Sequence, residues 1–505
     1  MIDKYLNELI HYAIRKKLIE AEDADFCKNQ LIAILQLAES RISPLDYESE
    51  DLALPIILDE ILNWAAENGI INNNTVTERD LLDTKLMAVF MKRPSEVMAD
   101  FHELKRDENV EEATAWFYEL NKDIHYIRRD RIEKNVSWRT ETEYGKLDIT
   151  INLSKPEKDP KEIEAAKQAV TANYPSCVLC KENVGYEGRL NHPARQNLRT
   201  IPVQLQGEEW HLQFSPYVYY HEHAIVLSAK HEPMRITGKT FYRLLDFVNQ
   251  FPHYFIGSNA DLPIVGGSIL SHDHYQAGKY EFPMARAEEE ESETLRDFED
   301  VIVSKLRWPM SVIRVKGKNK EKVAEACHMI FQKWSVYNDE SVDIISATGD
   351  IPHHTVTPIA RMRDGKFEVD IVLRNNRTSE DHPMGIFHPH DHVHHIKKEN
   401  IGLIEVMGLA VLPGRLKDEL EELTAALLTA DPEKDIASRA TIAKHLNWAL
   451  ELKRRHPNMN QTNAQPILKE ALGDVFKTIL THSGVFKRDK KGQAAFLTFM
   501  RSLTS

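Results

Sequence analysis

Three features are scarce in this sequence, and each scarcity excludes a class of protein. Four cysteines among 505 residues cannot build a disulfide framework, so we expect a reduced, cytoplasmic protein. No uninterrupted apolar run approaches the ~18 residues that cross a bilayer, so we expect no membrane span. There are 64 Lys and Arg residues and 78 Asp and Glu residues, which gives a net charge of −14. This charge argues against a broad basic surface that binds nucleic acid.

The remaining composition is typical of a soluble globular chain, with 42% hydrophobic and 28% charged residues. At roughly 150 residues per domain, the length predicts about three domains, or two with helical additions. The N-terminal residues 1–5 lack a basic region followed by an apolar one, so we expect no secretory signal. Histidine is the notable residue of this composition, because there are 23 and they cluster.

Hydrophobic periodicity predicts an α+β fold with segregated helices and strands. Residues 1 to about 150 have helical spacing, whereas residues 174–283 resemble short strands around a helix at Thr240–Gln250. The charge run Glu288–Glu293 is typical of a solvated loop or a helix start. A second strand-rich region, residues 335–373, contains the hairpin signal Asp364-Gly365, and helix returns from Arg415.

The first motif that could carry chemistry is the CxxC pair Cys177 and Cys180. Such a turn lets two thiolates face one point, which is half of a tetrahedral zinc site. Cys27 and Cys327 are isolated, so any metal site here needs histidines as well. A redox pair would require a preceding strand and a helix that opens at the motif, and polar residues follow instead. Zinc binding, redox chemistry and simple packing of small thiols remain the three interpretations.

The second motif is the segment Ser271–Gln276, which follows a Gly-Gly-Ser turn. On an extended strand, His272, His274 and Gln276 point to one side and Asp273 to the other. Two such imidazoles can share a ligand, or one can bind metal while the other acts on a substrate. Taken alone, the pattern is more typical of a polar strand end with hydrogen-bonded histidines.

Two further segments are less specific. The histidines at 353–354 and 388–395 suit either metal binding or an exposed polar loop. The loop 188–199, which includes Arg189, Arg195 and Arg199, could hold a phosphate or a sugar. Ordinary surface arginine is the simpler interpretation of each one.

The order of these motifs resembles one known family. A CxxC pair, an Arg/Asn loop, a strand that ends in Ser228–His231 and a Gly-Gly-Ser turn before His-x-His-x-Gln are similar to the galactose-1-phosphate uridylyltransferases. The resemblance is to their longer second class, found in Gram-positive bacteria, within the histidine-triad superfamily. It is clearest over residues 177–278 and weaker over 353–412.

The resemblance implies an architecture of two histidine-triad-like antiparallel-sheet halves. A mostly helical region would span residues 1–160, the first half 161–325, the second half 326–414 and a helical tail 415–505. It also implies a homodimer that acts on UDP-glucose or UDP-galactose and hexose-1-phosphates, with structural zinc, no organic cofactor, no nucleic acid and no membrane.

The resemblance also assigns roles residue by residue. It implies four zinc ligands, a nucleophile, a glutamine that steadies the transferring phosphate, and residues that contact the nucleotide phosphates. The ligands are Cys177, Cys180, His231 and His272; the nucleophile is His274 and the glutamine Gln276; the contacts are Asn259 and Ser268. Apart from the resemblance, Arg189 of the arginine loop is a candidate to meet the charge of the transferring phosphoryl group.

Some positions depart from the family pattern. Asp273 stands where the shorter class has proline, and His221 lies where that class has an asparagine that contacts ribose. One extra residue separates Ser268 from the His-x-His motif. Only His354 fits the second metal site of the shorter class, so that site is not inferred here.

The implied reaction forms glucose-1-phosphate and UDP-galactose from UDP-glucose and galactose-1-phosphate, through a uridylyl-histidine. One alternative within the superfamily is a dinucleoside polyphosphate phosphorylase or hydrolase. Hydrolases there generally carry a third histidine where this chain has Gln276, which favours transfer. The other alternative is a non-catalytic, zinc-stabilised nucleotide-binding protein.

Overall fold

The computed structural model describes residues 2–38, 43–154, 172–267, 269–295 and 298–504. The α+β prediction is confirmed: a helical N-terminal region and a helical C-terminal tail flank a large, mainly antiparallel sheet. Within the described ranges, no helix is both long and apolar enough to cross a membrane.

The N-terminal region is helical, as its periodicity predicts. Its helices are α1 Ile2–Arg15, α2 Ala24–Ile34, α3 Leu54–Glu67, α4 Val76–Ala88, α5 Pro94–Asp107, α6 Val110–Asp123 and α7 Arg129–Ile132. Leu6, Leu9, Ile10 and Ala13 bury one face of α1. Helix α4 begins at a capping box, in which the Thr75 hydroxyl accepts from the Glu78 amide and the Glu78 carboxylate accepts from the Thr75 amide.

A hairpin that the periodicity did not predict follows these helices. Strands β1 Val136–Thr142 and β2 Gly145–Asn152 pair antiparallel, and β15 Leu409–Pro413 pairs parallel to β2. Leu147, Ile149 and Ile151 alternate into the core. The parallel partner comes from far along the chain, which a local sequence pattern does not indicate.

The central sheet has ten strands in the order β3-β4-β5-β7-β6-β13-β14-β10-β9-β8. Their bounds are β3 Ile201–Leu205, β4 Glu208–Phe214, β5 Ala224–Ser228, β6 Phe255–Gly257, β7 His274–Gly278, β8 Glu289–Leu295, β9 Phe298–Leu306, β10 Val312–Gly317, β13 His354–Arg363 and β14 Lys366–Asn375. The strands β11 Ala347–Thr348 and β12 Ile351–Pro352 form a separate small hairpin.

The two halves of this sheet repeat one arrangement. In each half, three successive strands are followed by a helix and two more strands, and the fifth strand inserts between the third and the fourth. The helices are α8 Gly238–Gln250 and α9 Lys320–Ser335, and they pack against each other. The halves join where β6 pairs with β13. Strands β8–β10, which precede residue 325, lie in the second half of the sheet.

The prediction of a solvated loop or helix start at Glu288–Glu293 was wrong. Strand β8, Glu289–Leu295, is the edge strand next to β9. Its exposed carboxylates contact Lys316, Arg488 and Lys305. An edge strand tolerates such charges because it has no outer partner, and they discourage pairing with another chain.

The tail is helical. Its helices are α11 Leu416–Leu427, α12 Pro432–Ser438, α13 Leu446–Arg455, α14 Ala464–Ser483 and α15 Lys490–Thr504, after the short α10 Leu403–Val406. Leu416, Leu423 and Leu427 are buried at the predicted spacing. Phe476 and Ile479 of α14 join a core that covers one face of the second half of the sheet, including Val312 and Val372.

Candidate active site

Four side chains from three distant segments meet at one point. The ligand atoms of Cys177, Cys180, His231 and His272 all lie within 4.8 Å of one another. The Cys177 Sγ atom is 3.3 Å from His272 Nδ1, and Cys180 Sγ is 3.2 Å from His231 Nδ1. These four residues are the set that the family resemblance implies.

Local hydrogen bonds hold this group in place. The Asn183 amide donates to the carbonyl oxygens of Cys177 and Cys180, both at 2.8 Å, and thereby closes the CxxC turn. His272 Nε2 lies 2.9 Å from the Ser228 carbonyl. A proton on Nε2 would leave the Nδ1 lone pair to a metal in place of the proton that His272 shares with Cys177, which is the tautomer that a metal ligand requires.

The electrostatics of the two thiols differ. Burial opposes ionisation of Cys177, but hydrogen bonds with His272 and the Leu179 amide outweigh it and lower the pKa to about 6. Burial, together with the neighbouring Cys177, raises the pKa of Cys180 to about 11. Two Cys and two His form the closed tetrahedral donor set of structural zinc sites.

His274 begins strand β7 directly beside this group. Its Nδ1 lies 2.8 Å from the His272 carbonyl, so that Nδ1–H donates and the lone pair of Nε2 remains available. Burial lowers the pKa of His274 to about 4, which keeps the ring neutral. The arrangement presents an unprotonated imidazole nitrogen in a fixed orientation, as a nucleophile requires.

Asp273 points to the opposite face of the strand. Its carboxylate accepts from Arg243 Nη1 at 3.2 Å, and its backbone amide donates to the Glu232 carbonyl at 2.7 Å. Burial raises the pKa of Asp273 to about 6 despite Arg243. Asp273 therefore ties the start of β7 to helix α8, and proline at this position could neither donate this backbone bond nor bind Arg243.

Gln276 lies on the same face of β7 as His274, two residues along. Its neighbours in the sheet are Ile225 on β5 and Gly257 on β6. A Cβ atom at Gly257 would lie 2.7 Å from the Leu403 side chain. The missing side chain therefore lets the second half of the chain pack close beside Gln276.

Asn259 connects the two halves at this point. Its Oδ1 accepts from the Leu403 amide at 2.9 Å, and a Cβ atom at Gly267 would lie 2.8 Å from the Asn259 amide. Asn259 thus holds the Gly266-Gly267 turn against the segment near 403. Its contact with a nucleotide phosphate stays a prediction, and Ser268 lies outside the described residues.

Arg189 is engaged within its own loop. Its guanidinium donates to the carbonyls of Ala172 and Tyr174, to the Tyr186 hydroxyl and to Asn191. These contacts organise the segment around the CxxC turn. A role for Arg189 in binding phosphate stays a prediction.

The later histidines do not form a comparable group. Over the described part of the chain, only the Cys177 group brings three or more His, Cys, Asp or Glu ligand atoms together. His354 stacks on Trp334 with ring centroids 3.9 Å apart. His390 stacks between His382 and His482, at 4.2 Å from each. His395 Nδ1 lies 2.8 Å from His445 Nδ1, a pair of ring nitrogens without a third ligand atom.

The sequence did not reveal two neighbours of the site. Leu403 lies more than 100 residues after Asn259 and Gln276 in the sequence. His223 lies in a His-Glu-His run, where no local feature separates it from a surface histidine. A pattern that predicts β5 at Ala224 could have placed His223 on the face of His274, but only after the β5–β7 pairing was known.

Comparison with known proteins identifies the family of the chain. Residues 21–233 match the family model for the N-terminal domain of galactose-1-phosphate uridyl transferase, and residues 247–450 match that for its C-terminal domain. The protein named galactose-1-phosphate uridylyltransferase from Halalkalibacterium halodurans is 56% identical, over 99% of this chain and 98% of that protein. The one from Bacillus subtilis is 54% identical, over 99% and 98%.

Among solved structures, yeast Ap4A phosphorylase Apa2 in complex with AMP aligns with a TM-score of 0.35 and 12% identity. The alignment covers 63% of this chain and 93% of that one, and such a likeness is too weak to support a conclusion on function. The family models and the relatives together show that the chain belongs to the galactose-1-phosphate uridylyltransferase family, and it is therefore an enzyme of the nucleotidyltransferase class.

Proposed function

We propose that the protein transfers the uridylyl group of UDP-glucose to galactose-1-phosphate through a covalent intermediate on His274. The observation that carries the proposal is the hydrogen bond from His274 Nδ1 to the His272 carbonyl. It fixes the tautomer that leaves Nε2 unprotonated. The name of the relatives, galactose-1-phosphate uridylyltransferase, supports galactose-1-phosphate and the uridylyl group, and the family resemblance implies UDP-glucose.

The first step is displacement at the α-phosphorus of UDP-glucose. The Nε2 lone pair of His274 forms the new N–P bond, and the bond from phosphorus to the bridging oxygen breaks. Glucose-1-phosphate leaves with that electron pair. In the second step an ionised phosphate oxygen of galactose-1-phosphate attacks the uridylyl group and releases neutral His274. Covalent catalysis divides one exchange into two displacements, and no strong general base is needed.

Other residues of the site would bind and orient the phosphates during this exchange. Gln276, two residues along on the same face, is placed to donate its amide to a phosphoryl oxygen. Asn259 orders the Gly266-Gly267 turn, whose backbone N–H groups would face the phosphates. Precise placement matters, because an error of about 1 Å can cost ~100-fold in rate.

We also propose zinc as the ion of the Cys177 group. The donor set fits: two sulfurs and two imidazole nitrogens already converge, and one thiol is readily ionised. When bound, zinc supplies a structural cross-link between the CxxC turn and His272. His272 in turn presents the carbonyl that orients His274. The family resemblance further implies a homodimer, which light scattering would test.

Isotope exchange tests the covalent pathway. The enzyme is incubated with UDP-glucose and labelled glucose-1-phosphate, without galactose-1-phosphate. We expect label to enter UDP-glucose, because the uridylyl-enzyme reacts with either sugar phosphate. His274→Ala should abolish the exchange, whereas His392→Ala, an exposed histidine in the second half, should retain it. Transfer to galactose-1-phosphate without exchange would indicate direct transfer and contradict the intermediate.

A further inference from the structure

His223 is a buried histidine beside the active-site strand that the proposed mechanism does not use. It immediately precedes β5 and is 3% exposed. Ala224 pairs with Ala277 and Ile225 pairs with Gln276, so His223 stands opposite Gly278. Directly paired residues of antiparallel strands share a face. His223 therefore lies on the face of β7 that carries His274 and Gln276.

Gly278, the residue opposite His223, has no side chain on this face of β7. A Cβ atom at Gly278 would lie 2.6 Å from the Glu222 carbonyl and 2.7 Å from the Tyr220 ring. Because Gly278 has no side chain, the turn that carries Tyr220, Glu222 and His223 packs down onto β7. The Tyr220 ring contacts His223 with centroids 4.5 Å apart, which fixes the plane of the imidazole.

The hydrogen bonding of His223 determines its tautomer. Its Nδ1 lies 2.9 Å from the Tyr217 carbonyl, so Nδ1–H donates and Nε2 offers only a lone pair. Burial lowers the pKa of His223 to about 4, against opposing effects of the Tyr217 carbonyl and the Gln276 side chain. The ring is therefore neutral near pH 7, and Nε2 is a hydrogen-bond acceptor.

Two buried polar atoms remain unsatisfied between these side chains. Within the described residues, neither His223 Nε2 nor Gln276 Oε1 has a hydrogen-bond partner. Such atoms are rare in folded proteins, because each costs about 1–3 kcal/mol. Two acceptors cannot satisfy each other, but the Gln276 amide also carries two N–H protons. One of these protons satisfies His223 Nε2 when the amide nitrogen faces the ring.

We propose that His223 is a positioning residue for Gln276. It accepts one amide proton of Gln276, so that the second N–H is held towards the phosphoryl group on His274. The Tyr217 carbonyl fixes the His223 tautomer, and His223 fixes the orientation of the glutamine amide. This inference rests on the proposed function, since it assigns Gln276 to the transferring phosphoryl group.

A double-mutant cycle tests the coupling. The variants are His223→Phe, which keeps an aromatic ring without the acceptor, Gln276→Ala, and both together. The readouts are the single-turnover rate of uridylyl-enzyme formation and the affinity for UDP-glucose. We expect His223→Phe to slow the step by ~10- to 100-fold, with affinity changed less than about 3-fold. In the Gln276→Ala background, the same change should cost less than about 3-fold.

His223→Gln provides the conservative rescue, because its Oε1 can place an acceptor near the position of the imidazole Nε2. It should recover most of the rate that His223→Phe loses, while melting temperatures monitor folding. Equal losses from His223→Phe in the two backgrounds would overturn the proposal, as would an unchanged rate or a failed rescue. Absence of any uridylyl-enzyme in the wild type would instead contradict the proposed function, so the two failures are distinguishable.

Discussion

Strands β7 and β14 occupy the same place in the two halves of the central sheet, yet they carry different chemistry. Each is the fifth strand of its half and inserts between the third and the fourth. Strand β7 presents His274 and Gln276 on one face. Strand β14 presents Glu368 and Asp370, which are buried and bound by Arg314 and Arg361. The same strand arrangement thus holds the proposed nucleophile in one half and an ion-pair network in the other.

The two faces also differ in the partners of the polar side chains just named. Arg314 donates to both carboxylate oxygens of Asp370, at 2.7 and 3.0 Å, and Arg361 Nε donates to Glu368 at 2.7 Å. In the first half, His223 and Gln276 keep unpaired atoms. A buried network of ion pairs stabilises packing, whereas buried polar atoms without a partner need an explanation, such as the positioning of Gln276 proposed above. The comparison predicts that changes in β7 alter activity and changes in β14 alter stability.

The largest effect is expected from His274→Ala. Removal of the proposed nucleophile should lower the transfer rate on the order of 10⁴-fold or more, with little change in melting temperature. Steady-state transfer assays and thermal unfolding would measure both. His392→Ala is the matched control from the second half, and it should leave the rate unchanged. A modest loss in His274→Ala would mean that another group accepts the uridylyl group.

Disruption of the Cys177 group should lower both the zinc content and the stability of the protein. Cys180→Ser removes one of four donors, and we expect the bound zinc to fall from one equivalent per chain to nearly none. The free energy of unfolding should fall by roughly 5 kcal/mol, since a structural zinc site couples binding to folding. Metal analysis and denaturant unfolding are the measurements. Cys27→Ala, outside the group, should keep full zinc content, and zinc retained by Cys180→Ser would refute the assigned ligands.

Asp370→Asn addresses the second half alone. It keeps the shape of the side chain but leaves Arg314 and Arg361 with less counter-charge. Breaking a buried ion pair costs about 3–5 kcal/mol, so urea unfolding should show a loss near the lower end of that range. The rate per folded molecule should stay within about 2-fold of wild type. The control is Glu281→Gln, which breaks an exposed pair with Arg363 and should cost less than about 1 kcal/mol.

The smallest expected effect is on the pH dependence of stability, to which one buried histidine in each half contributes. Burial lowers the pKa of His223 in the first half and of His354 in the second to about 4. The unfolded chain, with histidine pKa values near ~6.5, takes up protons first as the pH falls. Each group should therefore cost about 1 kcal/mol per pH unit between pH 6.5 and 4, and nothing further above 6.5. His354→Gln should reduce the slope of unfolding free energy against pH; an unchanged slope would exclude a neutral His354.

Local patterns predicted much of the first half of the sheet. Strand β4 and helix α8 lie where alternation and helical spacing place them, and Asp364-Gly365 forms the turn between β13 and β14. The charged strand β8 was missed, because a run of glutamates resembles a solvated segment until an edge position and basic partners are known.

Long-range contacts determine the features of the fold and of the site that local sequence patterns did not predict. Phe367, Val369 and Ile371 alternate with Glu368 and Asp370 in β14, a pattern that predicts one exposed face. Both carboxylates are buried instead, because the core that includes Phe476 of the C-terminal tail covers that side. The convergence of Cys177, Cys180, His231 and His272 was inferred from family resemblance, since the spacing of the motifs does not specify which distant histidines meet the thiols. Contacts of this kind depend on strand pairing, which local patterns do not encode.

Mass spectrometry of the enzyme after incubation with UDP-glucose alone tests the central claim most directly. Intact mass would count the uridylyl groups, and peptide mapping at neutral or alkaline pH would locate them. We expect one uridylyl group per chain, on the peptide that contains His274, and its loss on addition of galactose-1-phosphate. An adduct on the histidines at 388–395, or no adduct in protein that binds UDP-glucose, would contradict the assignment of chemistry to the first half.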